Sequence, residues 1–191
     1  MLRLFFAVPV PAAARDRVGE LIRRVQAGAG DGTARVRWVR VDGLHLTLRF
    51  LGLTPEDRVA PLREVADAIA GAAAPFEVQL SGGGAFPSLS RPRSLWIGVG
   101  QGSERLAAIA DALTEAVGAC GLELDTRPFT AHLTIARTDG VRLGPVVARA
   151  LEHAAEGLDV RFTADRIVLF RSLLGNGPAR YEPLHEARLG G

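Results

Sequence analysis

Two short stretches hold the residue types best suited to chemistry, His45-Leu46-Thr47-Leu48 and His132-Leu133-Thr134-Ile135. In each, a histidine and a threonine stand two residues apart in an apolar run. On a strand that spacing puts both side chains on one face and turns the leucine between them into a core. An imidazole titrates near pH 6.5, at about 6.5 when unperturbed. One of a pair can therefore take a proton from an attacking group while the other gives one to a leaving oxygen. The two hydroxyls, aimed the same way, can donate to non-bridging phosphoryl oxygens, where transition-state charge gathers. A preorganised donor of that kind is worth about 3 kcal/mol. The doubled pattern predicts one site, built twice, for phosphoryl chemistry with His45, Thr47, His132 and Thr134 as its working groups.

Other chemistries find less support in the residues. Zinc would call for paired cysteines, a His-x-x-x-His or a third histidine beside either motif, and none is present. His153 and His185 read as structural or surface residues. Gly82-Gly83-Gly84 is not followed by Lys-Ser or Lys-Thr, and no Gly-x-Ser-x-Gly occurs. No metal and no cofactor is predicted.

The elements that must position these groups follow from periodicity. Leu4 to Val8 reads as a first strand; two prolines, Pro9 and Pro11, argue against a secretory signal. Val18, Leu21, Ile22 and Val25 mark a helix that stops at the glycines 28, 30 and 32. Arg35 to Val41 reads as a strand, and Asp42-Gly43 as a tight turn into the first motif strand, near 45–51. Thr54-Pro55-Glu56-Asp57 reads as a capped helix start, followed by an apolar face of Val59, Leu62, Val65, Ala66 and Ile69. Phe76 to Ser81 and Arg93 to Val99 read as strands, with a glycine turn or bulge at 82–84 and a surface loop over 85–92.

Ser103 is expected to cap a helix whose face runs through Leu106, Ile109, Ala110, Leu113, Val117 and Cys120, which makes Cys120 a buried core thiol. Leu122 to Leu124 would add a short strand before the second motif strand, near 132–136. Gly144-Pro145 opens a helix carrying Val146, Val147, Ala150, Leu151 and Ala154. Strands over 158–163 and 166–173, a turn at 175–178 and a last strand over 180–188 complete the chain. The motifs lie 87 residues apart, and a helix and then further strands follow each. This predicts an α+β fold of two similar lobes, each an antiparallel sheet with helices on its outer face, related by a pseudo-two-fold axis around a central cleft. No linker separates the lobes, so 1–191 is read as one domain.

Composition sets the outer bounds. The chain is 48% hydrophobic and 23% charged, the balance of a globular protein rather than a disordered one. All 23 basic residues are arginine, yet the formal net charge is only +2. That surplus admits a phosphate-bearing partner without requiring one. No apolar run approaches the roughly 18 residues of a membrane span, so no membrane partner is expected. One cysteine permits no internal disulfide and fits a reducing cytoplasm. A monomer is expected.

The motifs and their flanks resemble those of the 2H phosphoesterases. Arg3-Leu4-Phe5-Phe6-Ala7, Leu44 to Gly52, Ser94-Leu95-Trp96-Ile97-Gly98, Arg127-Pro128-Phe129 and Tyr181-x-Pro183-Leu184 are similar to the RNA 2',3'-cyclic phosphodiesterase branch, long labelled 2'-5' RNA ligase. The resemblance implies metal-free hydrolysis of a 2',3'-cyclic phosphate at an RNA 3' end to a 2'-phosphate, with 2'-5' ligation as the possible reverse. It implies His45 as proton donor to the leaving 3' oxygen, His132 as acceptor that activates water, and Thr47 and Thr134 as holders of the phosphoryl oxygens. It further places Arg137 near substrate, on phosphate or on a base. Strict strand alternation would turn Arg137 away from His132, so that role needs a bulge or the strand's end. Phe50, equally spaced from His45, is either a base-stacking partner or a core aromatic; Phe129, Trp38 and Trp96 read as core. The chain departs from the family pattern at Gly43 and at Thr130-Ala131, outside the chemistry.

Two alternatives stay open at this level. One is a phosphodiesterase for small cyclic nucleotides or ADP-ribose cyclic phosphate; the other is a non-catalytic module that binds RNA ends.

Overall fold

A computed structural model describes residues 1–30, 33, 36–122, 128–138, 143–173, 175 and 178–190. The first strand, β1 (Leu2–Pro9), buries Leu4, Phe6 and Val8 on one face. Helix α1 (Ala12–Ala29) turns Ala14, Val18, Leu21, Ile22 and Val25 inward and stops at Gly30, whose φ of 51° suits a residue without a Cβ. A two-residue strand, β2 (Arg37–Trp38), leads through a 3-10 turn at Val41–Gly43 into β3 (His45–Thr54). Then follow α2 (Val59–Gly71), β4 (Phe76–Phe86), β5 (Ser94–Val99), α3 (Ser103–Ala119), β6 (His132–Arg137), α4 (Gly144–Ala154), β7 (Val160–Ala164), β8 (Arg166–Leu173) and β9 (Arg180–Arg188).

The strands form two antiparallel sheets, ordered β3-β1-β8-β9 and β2-β6-β5-β4-β7. Helices α2 and α3 pack on the first, α1 and α4 on the second. Each motif strand pairs with the strand joined to it through a helix, β3 with β1 through α1 and β6 with β5 through α3, and each of these two helices packs on the other lobe's sheet. The expected α+β architecture of two lobes, each with its sheet and outer helices, is therefore the observed one. Leu46 and Leu133, the residues between each His and Thr, are at most 1% exposed. Burying each contributes about 1.5–3 kcal/mol, which fixes the opposite, polar face of both strands toward the cleft. Among the described residues no helix is long and apolar enough to cross a membrane.

Several local expectations are corrected. Thr54 does not cap α2; it is fully buried at the end of β3, pairs with Leu2, and its hydroxyl donates to the Gly52 carbonyl at 3.4 Å. Strand pairing takes this threonine, and a 3-10 turn at Glu56–Arg58 precedes the helix. Gly102, not Ser103, occupies the N-cap of α3: its φ is 87°, and a Cβ there would lie 2.5 Å from the Glu77 carbonyl oxygen. Cys120 is only half-buried, because it forms the C-cap where α3 leaves the core.

Of the strand expected over 35–41, residue 35 lies outside the described residues and, of the rest, only β2 pairs in a sheet, since Arg40 folds back onto the Asp42 carboxylate at 2.6 Å beside the 3-10 turn. β4 runs on to Phe86, into the segment read as loop, with a bulge at Gly82. Val146 points outward at 49% exposure while Val147, Ala148 and Leu151 carry the buried face of α4. Leu122 lies in no strand, and residues 123–127, 176 and 177 of the expected strand and turns fall outside the described residues.

Candidate active site

The two motif strands, β3 of one sheet and β6 of the other, adjoin where the lobes meet. His45 and Thr47 on β3, and His132 and Thr134 on β6, are each half-buried on the polar face of their strand. Both histidines are tethered alike. His45 Nδ1 lies 2.8 Å from the Gly43 carbonyl oxygen and His132 Nδ1 lies 2.7 Å from that of Thr130, two residues upstream in each case. A carbonyl only accepts, so each Nδ1 carries the hydrogen and donates it, and each Nε2 is left for the ligand. The tether fixes ring orientation and tautomer together.

Beyond the threonine, strand alternation breaks in both copies. The register of β3 against β1 runs Pro9 to His45, Ala7 to Thr47, then Phe5 to Phe50, so Leu48 is an extra, bulged residue. That of β6 against β5 runs Gly98 to His132, Trp96 to Thr134, then Ser94 to Arg137, so Ile135 is bulged at the equivalent position. Each bulge shifts the pleat by one and returns the fifth residue after the histidine to the histidine's face. The role implied for Arg137 needed such a bulge, and this one supplies it. Phe50 is no core aromatic: it is 54% exposed, and its ring lies 5.8 Å from Phe5. A second bulge at Leu51 brings Leu53 opposite Arg3, on the same face again.

Rings enclose both imidazoles. Around His45 stand Phe5 and Tyr181, each 4.8 Å away between centroids, and Phe170 at 6.0 Å. Around His132 stand Phe86 at 5.1 Å and Trp96 at 6.4 Å. Trp96 is thus not a core residue. Leu95 and Ile97 beside it are fully buried, and alternation sends the indole to the site face. There it lies across β4, where a Cβ on Gly84 would sit 2.4 Å from the ring. Tyr181 packs in the same way over Gly43, whose Cβ would approach it to 3.2 Å.

Burial pushes both histidines below their ordinary pKa, and the backbone hydrogen bonds oppose this. His45 is the more deeply enclosed. The Arg137 guanidinium adds to the lowering at His132. Burial raises Tyr181, and Arg137 opposes that. Arg137 of one lobe is therefore felt by Tyr181 of the other, whose ring lies against His45: the two motif strands share one electrostatic neighbourhood.

His153 is an exposed helix residue 3.4 Å from Glu156, and His185 pairs with Asp67 at 2.7 Å. Phe129 and Trp38 are partly buried against the core. Among the described residues no three His, Cys, Asp or Glu side chains gather to hold a metal. A surface depression of about 540 Å³ on the outer side of α1, lined by Arg17, Glu20, Arg23, Arg24, Ala27 and Leu158, lies apart from the motif strands. Tyr181, Phe86 and Phe5 are site residues that the histidine motifs alone do not reveal. For Phe5 the available signal was the alternation of β1, in which Leu4, Phe6 and Val8 take the core and leave Phe5 to the other face.

A family model described as the 2'-5' RNA ligase superfamily matches residues 9–176. An RNA 2',3'-cyclic phosphodiesterase of Geobacillus stearothermophilus is 34% identical over 94% of the chain, which spans 55% of that relative's length. One of Aeropyrum pernix is 30% identical over 90% of the chain and 96% of its own. The crystal structure of Escherichia coli LigT complexed with 3'-AMP superposes with a TM-score of 0.73 at 25% identity, covering 100% of this chain and 99% of that one.

Proposed function

The chain belongs to the 2'-5' RNA ligase superfamily, and from that premise we propose that it hydrolyses RNA 2',3'-cyclic phosphate ends to 2'-phosphates by metal-free acid and base catalysis. The observation that carries this reading is the matched tether: two imidazoles, each with Nδ1 spent on the carbonyl two residues upstream and Nε2 left for a ligand, each with a threonine two residues on along the same strand face. A cyclic phosphate needs that set. His132 Nε2 takes a proton from water as the water oxygen bonds to phosphorus. The bond from phosphorus to O3' breaks, and His45 Nε2 delivers a proton to that oxygen. Thr47 and Thr134 donate to the non-bridging oxygens, and Arg137 adds positive charge.

Surroundings support this division of labour. The guanidinium beside His132 disfavours its imidazolium and so favours the neutral acceptor. The Phe5 ring 4.8 Å from His45, tilted by 34°, offers a π face that attracts imidazolium. Burial alone works against a protonated His45, and the anionic substrate restores it. Attack on the same cyclic phosphate by a 5'-hydroxyl in place of water, its proton passing to His132 while the bond to O3' breaks and His45 protonates that oxygen, would give a 2'-5' linkage; water in molar excess makes hydrolysis the favoured course.

The test is incubation of the purified protein, in EDTA, with a short RNA ending in a 2',3'-cyclic phosphate, beside His45→Ala and His132→Ala. The parent should yield the 2'-phosphate, and each variant should be slower by roughly 10²- to 10⁴-fold. Activity lost in EDTA and restored by zinc would overturn the metal-free mechanism. Turnover of a small cyclic nucleotide with none of RNA would move the substrate class. No turnover of either, with RNA-end binding unaffected by His45→Ala, would leave a binding module.

A further inference from the structure

Arg137 stands between two strands. On β5 its partner is Ser94, and on β2 its directly opposed partner is Arg37. Opposed residues of an antiparallel pair share a face, so Arg37 lies on the side of the sheet that the Ile135 bulge gives to Arg137 and His132. The Val39 N–H donates to the carbonyl of the bulged Ile135 at 3.0 Å, which locks β2 onto β6 at this point. Both arginines are exposed, and among the described residues neither is paired with an acid; the arginine ion pairs involve Arg17, Arg40, Arg161, Arg166 and Arg171. Like charges held opposite one another destabilise a sheet unless an anion lies between them.

The placement says which anion. His132, Thr134 and Arg137 oppose every second residue of β5, so the arginine pair begins one pleat repeat, ~7 Å, beyond the threonine. For a phosphate seated on the two His-x-Thr pairs, the arginine pair supplies the exposed cations next along β6, while Phe50 exposes a ring on the opposite sheet. We propose that Arg37, side by side with Arg137, binds the phosphodiester on the 5' side of the terminal nucleotide and so makes the site prefer an RNA chain over a cyclic mononucleotide. This assignment rests on the cyclic phosphodiesterase reading and names a residue that reading does not use. A guanidinium fork suits the task, because it meets two phosphate oxygens at once.

The test removes one charge from each side. Dinucleotides ending in a 2',3'-cyclic phosphate are made with either a natural internucleotide phosphate or a neutral methylphosphonate, and kcat/KM is measured for the parent, Arg37→Gln and Arg37→Lys. The parent should prefer the natural linkage by about tenfold, the size of one hydrogen-bonded charge contact. Arg37→Gln should lose most of that preference, and Arg37→Lys should keep part of it. An Arg37→Gln variant that discriminates as the parent does would overturn the assignment, as would a parent indifferent to the linkage. If the parent opens neither dinucleotide, the catalytic reading fails by itself. Anisotropy of the same two dinucleotides, fluorescently labelled, then decides on Arg37: charge-dependent binding lost in Arg37→Gln upholds it, and equal binding refutes it.

Discussion

The two halves of the site share a backbone and differ in side chains. Both motif strands tether Nδ1 to a carbonyl two residues upstream, present a threonine two residues on, and bulge at the third residue after the histidine. Around that common frame, His45 is enclosed by Phe5, Phe170 and Tyr181, and His132 by Phe86 and Trp96. The residue that the bulge returns to the site is Phe50 in one half and Arg137 in the other. Repetition of the frame sets where groups stand; divergence of the surroundings sets what each does. A site of two identical halves would give both histidines the same proton affinity, whereas an acid and a base must differ.

The shared parts should fail alike. On the proposed mechanism Thr47→Val and Thr134→Val each remove one donor to the phosphoryl oxygens, and each should lower kcat by about 10²-fold with little change in KM. Single-turnover rates on a cyclic phosphate check this, and a hundredfold disparity between the two variants would break the equivalence. The divergent parts should fail differently. Phe50→Ala should cost about 1–3 kcal/mol of stacking, read as a raised KM that added salt leaves alone. Arg137→Gln should weaken binding in a way that shrinks as salt rises, because its contact is with charge. Identical salt dependence for the two variants would remove the division into a base-binding half and a phosphate-binding half.

The smallest effect is on stability. Both histidines have folded-state pKa values below the ordinary ~6.5 of the unfolded chain, so the unfolded state binds more protons at mildly acid pH. Their neutral seats are without penalty above about pH 6.5, and stability falls as pH drops from there through the lowered values. Tm measured from pH 7.5 to 5 should decline, and His45→Gln should flatten the decline more than His132→Gln, because His45 is the more enclosed. The reverse order would contradict the burial difference between the halves.

Much of this was legible in the residues. The period of Val18, Leu21, Ile22 and Val25 gave α1, and the repeated His-x-Thr gave both halves of the site, because burial of Leu46 and Leu133 forces the polar residues to the other face. What escaped was set by pairing across the sheet. The bulges at Leu48 and Ile135 have no composition of their own, so Phe50 stayed undecided between core and site. Trp96 read as core because a large apolar ring on a strand usually is. Only with Gly84 opposite does its place on the cleft become visible, since the glycine clears the space the indole fills. Thr54 and Ser103 carried capping signals that strand pairing and a left-handed glycine displaced.

The bulges of β3 have a consequence apart from chemistry. β3 is the edge of its sheet, ten residues long, and exposes Phe50 and Leu53. A flat edge of that length with apolar side chains invites strand addition by another molecule and growth into aggregates. Extra residues at Leu48 and Leu51 break its outward row of N–H and C=O groups at three-residue intervals, so no partner strand finds a long run in register. The kinks that aim Phe50 into the site thus also keep the exposed edge from recruiting other chains, and straightening β3 would trade solubility along with activity.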